Sequence, residues 1–219
     1  MIKRQQPQSS LQKSQAGYTI IESLVAMIVV SVLMIAIAPV MAFSVATRVQ
    51  AKRIEMATQA AKTYIEALRS EALKQGGPIP GFPAQSTTAK LEDSPAPTDI
   101  NALYCINKDD NPTCTPDSNQ DFVVQGYYFN NLPPTTNPAK TGYSLIVRVY
   151  RANSFASGVG PLKTQKDLQA QQGTTTAGLG NLRAPLVEMR TEIGASDRQG
   201  AYNSLCTRII NINGAKGCQ

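Results

Sequence analysis

Four cysteines, one short run of oxygen-bearing residues and one isolated carboxylate are the side chains whose types and spacing bear on chemistry. Cys105 and Cys114 stand nine apart, Cys206 and Cys218 twelve apart. Four cysteines allow three pairings; local pairing is preferred because each bridge would close a short loop, and either bridge presupposes an oxidising compartment. A four-thiolate zinc site would need close C-x-x-C pairs, which are absent, and four reduced thiols are the other alternative. Asp117-Ser118-Asn119-Gln120-Asp121 sets oxygens at Asp117, Asn119 and Asp121, the alternation that opens a calcium loop, with Asp109, Asp110 and Asn111 upstream. The turn-glycine position holds Phe122 and the bidentate-glutamate position Tyr128, so a solvated polar loop is the expectation and no metal site is assigned. The carboxylate is Glu22, discussed below.

The chain has 219 residues and no histidine, which removes Ser-His-Asp and Cys-His catalysis and every histidine-containing zinc site. No phosphate loop, dinucleotide fingerprint or catalytic carboxylate pair stands out, so neither an enzyme nor a cofactor is expected. A net charge of +6 is spread over the whole chain and makes no nucleic-acid footprint.

The elements that would position these residues follow from where charge is missing. Residues 23–47 contain no charged side chain. As a helix, Leu24 to Ala46 spans roughly 34 Å against a hydrocarbon core of roughly 30 Å, enough to cross a bilayer. A buried core helix and a secretory signal cut near Ser44-Val45-Ala46 are the alternatives; the run is long for either. Beyond Arg48, apolar positions at Ile54, Ala57, Ala61, Tyr64 or Ile65, Leu68 and Ala72 recur every three or four residues, with Lys62 and Glu66 one turn apart. The spacing predicts one helix from about Tyr18 to Gln75, ended by Gly76-Gly77-Pro78, with Pro39 loosening its apolar half.

Residues 76–121, with seven prolines, read as loop. Strands are predicted at Phe122–Phe129, Tyr143–Arg151 and Leu186–Ile193, with a fourth candidate at Leu205–Ile212. Leu145, Val147 and Val149 alternate with Ile146, Arg148 and Tyr150, and the aromatic run Tyr127-Tyr128-Phe129 is expected to be core more than a sugar-stacking surface. The stretch 152–182 is rich in Gly, Gln and Thr, with partial helix around Lys163–Gln172. The fold class is therefore α+β, a long N-terminal helix laid on a small antiparallel sheet with long loops.

Ahead of the apolar run, residues 1–17 are polar and carry Lys3, Arg4 and Lys13 without an acid; then comes Gly17-Tyr18-Thr19-Ile20-Ile21-Glu22-Ser23-Leu24. An isolated carboxylate just inside an apolar span costs a few kcal/mol, about 2.5–3.5 at a span's centre, unless it finds a positive partner. This constellation resembles the processing signal of type IV prepilins and type II secretion pseudopilins, with Tyr18 in place of the commoner phenylalanine. The resemblance implies that a prepilin peptidase cuts between Gly17 and Tyr18 and N-methylates Tyr18. It also implies that Glu22 is the signature fifth residue of the mature chain and that Pro39 is a helix-loosening proline in the assembly segment. The parts would be a cleaved leader (1–17), a membrane and filament-core helix half (18–47), an amphipathic half (48–75) and an extracytoplasmic pilin-like body (76–219). Implied partners are the peptidase, other pilins or pseudopilins, an inner-membrane assembly platform and membrane lipid, with no nucleic acid. Ala42–Arg69 is further similar to cyanobacterial pseudopilins associated with hormogonium polysaccharide secretion, which implies a filament for export or motility. A single-pass anchored binding protein, for example for polysaccharide, is the alternative.

Overall fold

The computed structural model describes residues 19–71, 73–75, 81–130, 132, 137–168, 180–196, 202 and 206. The chain divides into two compact units, Met1–Ser44 and Val45–Gln219, each taken by itself below. One helix, α1 (Ile20–Arg69), supplies the described helix of the first unit and opens the second. It runs through Pro39 without a break in helical backbone. Its end falls at Arg69, before the expected Gln75: Glu71 turns into the left-handed region (φ 56°), and the Leu73 N–H reaches back to the Ala67 carbonyl at 3.3 Å. Ala72 and the Gly76-Gly77-Pro78 stop signal lie outside the described residues.

In the second unit α1 buries Ala57, Ala60, Ala61, Tyr64, Ile65 and Leu68, the stripe that the three- and four-residue spacing predicts. Glu66 pairs with Arg69 at 2.8 Å and makes no ion pair with Lys62 among the described residues; both partners are largely exposed, so the pair contributes little. Three alanines on the stripe keep the helix thin where it meets the sheet.

The sheet has five strands: β1 (Ala84–Gln85), β2 (Tyr104–Ile106), β3 (Phe122–Phe129), β4 (Tyr143–Arg151) and β5 (Val187–Ile193). β3, β4 and β5 form an antiparallel meander, with Val147 opposite Gly126 and Met189. The expected all-antiparallel sheet needs one correction. β1 joins β3 in parallel at Tyr127 and Tyr128, while β2 joins the same edge antiparallel at Phe122 to Val124, so the sheet is mixed. Both short strands come from the proline-rich segment predicted as loop, where two or three residues of pairing leave no visible period. The candidate strand Leu205–Ile212 falls outside the described residues apart from Cys206. Two one-turn helices, α2 (Pro138–Thr141) and α3 (Gln165–Leu168), lie in connections.

Period-2 alternation sends Val124, Tyr128, Leu145, Val147 and Val149 to the face that packs with the α1 stripe. Tyr128 is thus core, as the aromatic run predicts, and its ring meets that of Tyr143 at 5.3 Å. Gly126 is required by close approach: a Cβ there would lie 2.5 Å from the Tyr64 hydroxyl. That hydroxyl donates to the Gly81 carbonyl at 2.6 Å, tying the backbone at Gly81 to the helix.

The opposite face is also covered. Val123 and Tyr150 pack with Leu103. Arg148, fully buried, pairs with its cross-strand neighbour Glu188 at 2.8 Å. Its remaining N–H groups donate to the Ser94 and Glu92 carbonyls at 2.8 and 3.1 Å, and Gln125 beside it donates to the Pro95 carbonyl at 3.1 Å. The strap 91–95 is thereby held on the sheet by its backbone carbonyls.

Candidate functional site

The candidate site is the start of α1 and the apolar surface that follows it. Thr19 occupies the cap position: its carbonyl accepts from the Glu22 and Ser23 N–H groups at 3.0 and 3.2 Å, and its hydroxyl lies 3.4 Å from the Glu22 nitrogen. Glu22 is therefore the third residue of the helix, where the unpaired amide dipoles favour an anion. Thr-x-x-Glu before an apolar run is a helix-start signal in its own right, and it places Glu22 independently of the processing motif. The Glu22 carboxylate is exposed and makes no ion pair among the described residues. Gly17 and Tyr18, the expected cleavage pair, lie outside the described residues.

Beyond Glu22 the helix shows a surface unlike that of a soluble protein. Every large apolar side chain from Ile20 to Val45 is at least 50% exposed, with Ile35 at 75% and Ile20 at 88%. A typical monomer exposes only a few hundred Å² of contiguous apolar surface. Polar groups within the run are few, and the Ser23 and Ser31 hydroxyls donate to the Ile20 and Met27 carbonyls at 2.8 and 2.7 Å, so neither needs water. The helix is long and apolar enough to cross a membrane. A secretory-signal reading predicts loop after Ala46, whereas the helix continues to Arg69.

Residues 12–38 match the family model of the prokaryotic N-terminal methylation motif. That span takes in the Gly17-Tyr18 junction, Glu22 and much of the apolar run. It supports a type IV pilin-like or pseudopilin chain processed by a prepilin peptidase, a structural subunit more than an enzyme, anchored by one helix with its body outside the cytoplasm. No curated protein and no solved structure matches the chain.

The other sequence-marked residues hold the body together. Cys105, in β2, is bonded to Cys114, the local pairing expected. Cys206 is also disulfide-bonded, and Cys218 lies outside the described residues. Asp121 is fully buried, and one of its carboxylate oxygens accepts from the Lys108 N–H at 2.7 Å. Ser118 donates to Asp109 at 2.7 Å, and Asp109 accepts from the Asn111 N–H at 2.9 Å. These bonds close turns around the disulfide, and among the described residues no three His, Cys, Asp or Glu side chains gather where a metal ion would sit. Asp117 and Asn119, in the same loop, are both exposed.

Proposed function

We propose that the chain is a pseudopilin or minor pilin. A prepilin peptidase cuts between Gly17 and Tyr18 and methylates the new amine, the membrane holds the subunit by residues 18–47, and assembly machinery then draws it into a short filament. The 48–75 segment and the 76–219 body are carried outside the cytoplasm. The observation that carries this reading is the methylation motif set directly before a helix whose apolar side chains are exposed all round. In the filament, neighbouring apolar helices replace lipid, and Glu22 of one subunit meets the Tyr18 amine of the next. Low dielectric strengthens that pair while desolvation penalises it, so its main value is register. Pro39 has no N–H to donate to the turn before it and lets the helix loosen there as packing demands. The filament drives export or surface motility; the likeness of Ala42–Arg69 to hormogonium-associated pseudopilins favours polysaccharide export.

The experiment is Glu22→Ala in cells that assemble the filament. Membrane insertion should be unchanged, because the apolar run is untouched, while incorporation into filaments should fall at least tenfold, corresponding to about 1.4 kcal/mol or more per contact. Incorporation at the parent level would remove the pairing role from Glu22.

A further inference from the structure

The edge of β3 that carries β1 and β2 is interrupted. β1 pairs there at Tyr127 and Tyr128 and β2 at Phe122 to Val124, which leaves Gln125 and Gly126 opposite neither strand. Tyr128 turns its carbonyl to this edge, accepting from the Ser86 N–H at 2.7 Å, and by the two-residue period Gly126 turns its backbone the same way. A cavity of about 330 Å³ opens at the break, within the roughly 300–1,000 Å³ usual for small-ligand sites. Its wall draws on β3, on the chain leading into β1 and β2, and on residues 95–99.

That wall is rich in acceptors and poor in donors. Gln125 is 7% exposed; its Nε2 donates to the Pro95 carbonyl at 3.1 Å, while its Oε1 is buried with no hydrogen-bond partner among the described residues. A buried carbonyl without a donor costs stability and marks a place where a donor fits. Asp99 is exposed at the rim, and its Oδ1 accepts from the Asn101 N–H and side-chain amide at 2.9 and 3.1 Å, which fixes the carboxylate in place. Pro95 and Pro97 bring carbonyls without N–H groups, and no lysine or arginine is among the described residues of the wall. Between these acceptors lie apolar surfaces, among them the half-buried rings of Phe82 and Tyr127, the latter on the strand face opposite to core Tyr128. Such a wall repels anions. A buried ammonium is also disfavoured, because its charge would be stripped of water against a neutral amide carbonyl. The ligand that fits is neutral, donates through hydroxyls and has an apolar C–H face, which is the chemistry of a sugar ring. We propose that this cavity binds one neutral hexose unit of a polysaccharide, its hydroxyls donating to Gln125 Oε1 and the Asp99 carboxylate and its C–H face lying against Tyr127. Ala84 and Thr98 are exposed beside Asp99, so the polymer continues past the rim. The site belongs to the body alone and goes beyond the filament reading.

Saturation-transfer NMR on the full chain, in micelles of a detergent without a sugar headgroup, tests this with cellotetraose, mannotetraose and galactotetraose as probes and glycerol as the control polyol. At least one tetrasaccharide should bind, and glycerol should not displace it. Asp99→Ala should weaken that binding by about tenfold, as expected for a lost hydrogen bond to a charged acceptor. Tyr127→Leu, which keeps bulk without the ring, should weaken it by at least about threefold. Circular dichroism checks the fold, and Tyr127→Leu alone serves if Asp99→Ala, which also removes the bonds from Asn101, is damaged. Binding of none of the three sugars, or equal affinity in a folded Tyr127→Leu variant, would overturn the proposal. So would binding of trilysine at these residues with no sugar bound, which would assign the cavity to a basic side chain of a neighbouring protein. Neither result depends on cleavage of the leader, which the N-terminal mass reads separately.

Discussion

Arg148 is a cation buried against the sheet, and its surroundings explain why that is tolerated. Glu188 neutralises it and the carbonyls of the strap take its remaining N–H groups. Removing one member of a buried pair strands the other, at a cost of about 3–5 kcal/mol. Arg148→Met should therefore destabilise the body by that amount in urea unfolding, and adding Glu188→Leu should recover part of it; a single variant as stable as the parent would contradict the arrangement. Buried phenols give a second residue-scale prediction. Burial, with the Tyr143 and Tyr104 phenols adding to it, raises Tyr64, and burial is also the first cause of the rise at Tyr143 and Tyr150. Their stabilisation is complete below about pH 10, where folded and unfolded chains both hold the proton. It is lost as pH climbs further, because the unfolded chain releases protons that the folded chain keeps. Unfolding midpoints should be level near neutrality and fall above about pH 10; level midpoints beyond that pH would count against buried phenols. Alternation in the sequence places Arg148 on the face away from α1, but it does not tell that the face is covered. The strap that covers it comes from a proline-rich stretch with no period to read.

At the scale of elements, legibility tracked the number of residues sharing one period. β3 and β4 run over the predicted residues, Phe122–Phe129 and Tyr143–Arg151, because eight or nine residues of alternation are a long signal. β1 and β2, two and three residues long, exist through their pairing with β3 and have no pattern of their own. α1 ends at Arg69, ahead of the predicted Gln75, and Glu71 just beyond it takes a left-handed φ that no periodicity argument foresees. Contact between α1 and the sheet depends on small residues. Gly126→Ala would press a methyl group onto the Tyr64 hydroxyl and should cost about 1–3 kcal/mol in chemical denaturation. A loss under about 0.5 kcal/mol, ordinary for an uncrowded surface position, would mean the approach is looser than described.

For the molecule as a whole, the division at Ser44 separates two kinds of surface. All core residues of the sheet and its helix stripe lie beyond Val45, so a chain of residues 45–219 should fold by itself. Far-UV circular dichroism and a cooperative thermal transition would check this. Reduction of the Cys105–Cys114 bridge, which closes a short loop, should then lower its stability by roughly 2–3 kcal/mol. Net charge also changes meaning at this scale. Lys3, Arg4 and Lys13 contribute half of the +6, and all three leave with the leader under the proposed cleavage. What remains is modest overall, and Glu22 is the acid at the start of the apolar run. The processing signal was legible because a few residue types at fixed spacing before an apolar run carry it, and the motif match covers those residues. The central claim is that this signal is used. Mass analysis of the N-terminus of the membrane-extracted protein tests it most directly: the account predicts a chain beginning at Tyr18 and heavier by one methyl group, while an intact leader or a new end near Thr47 would contradict it.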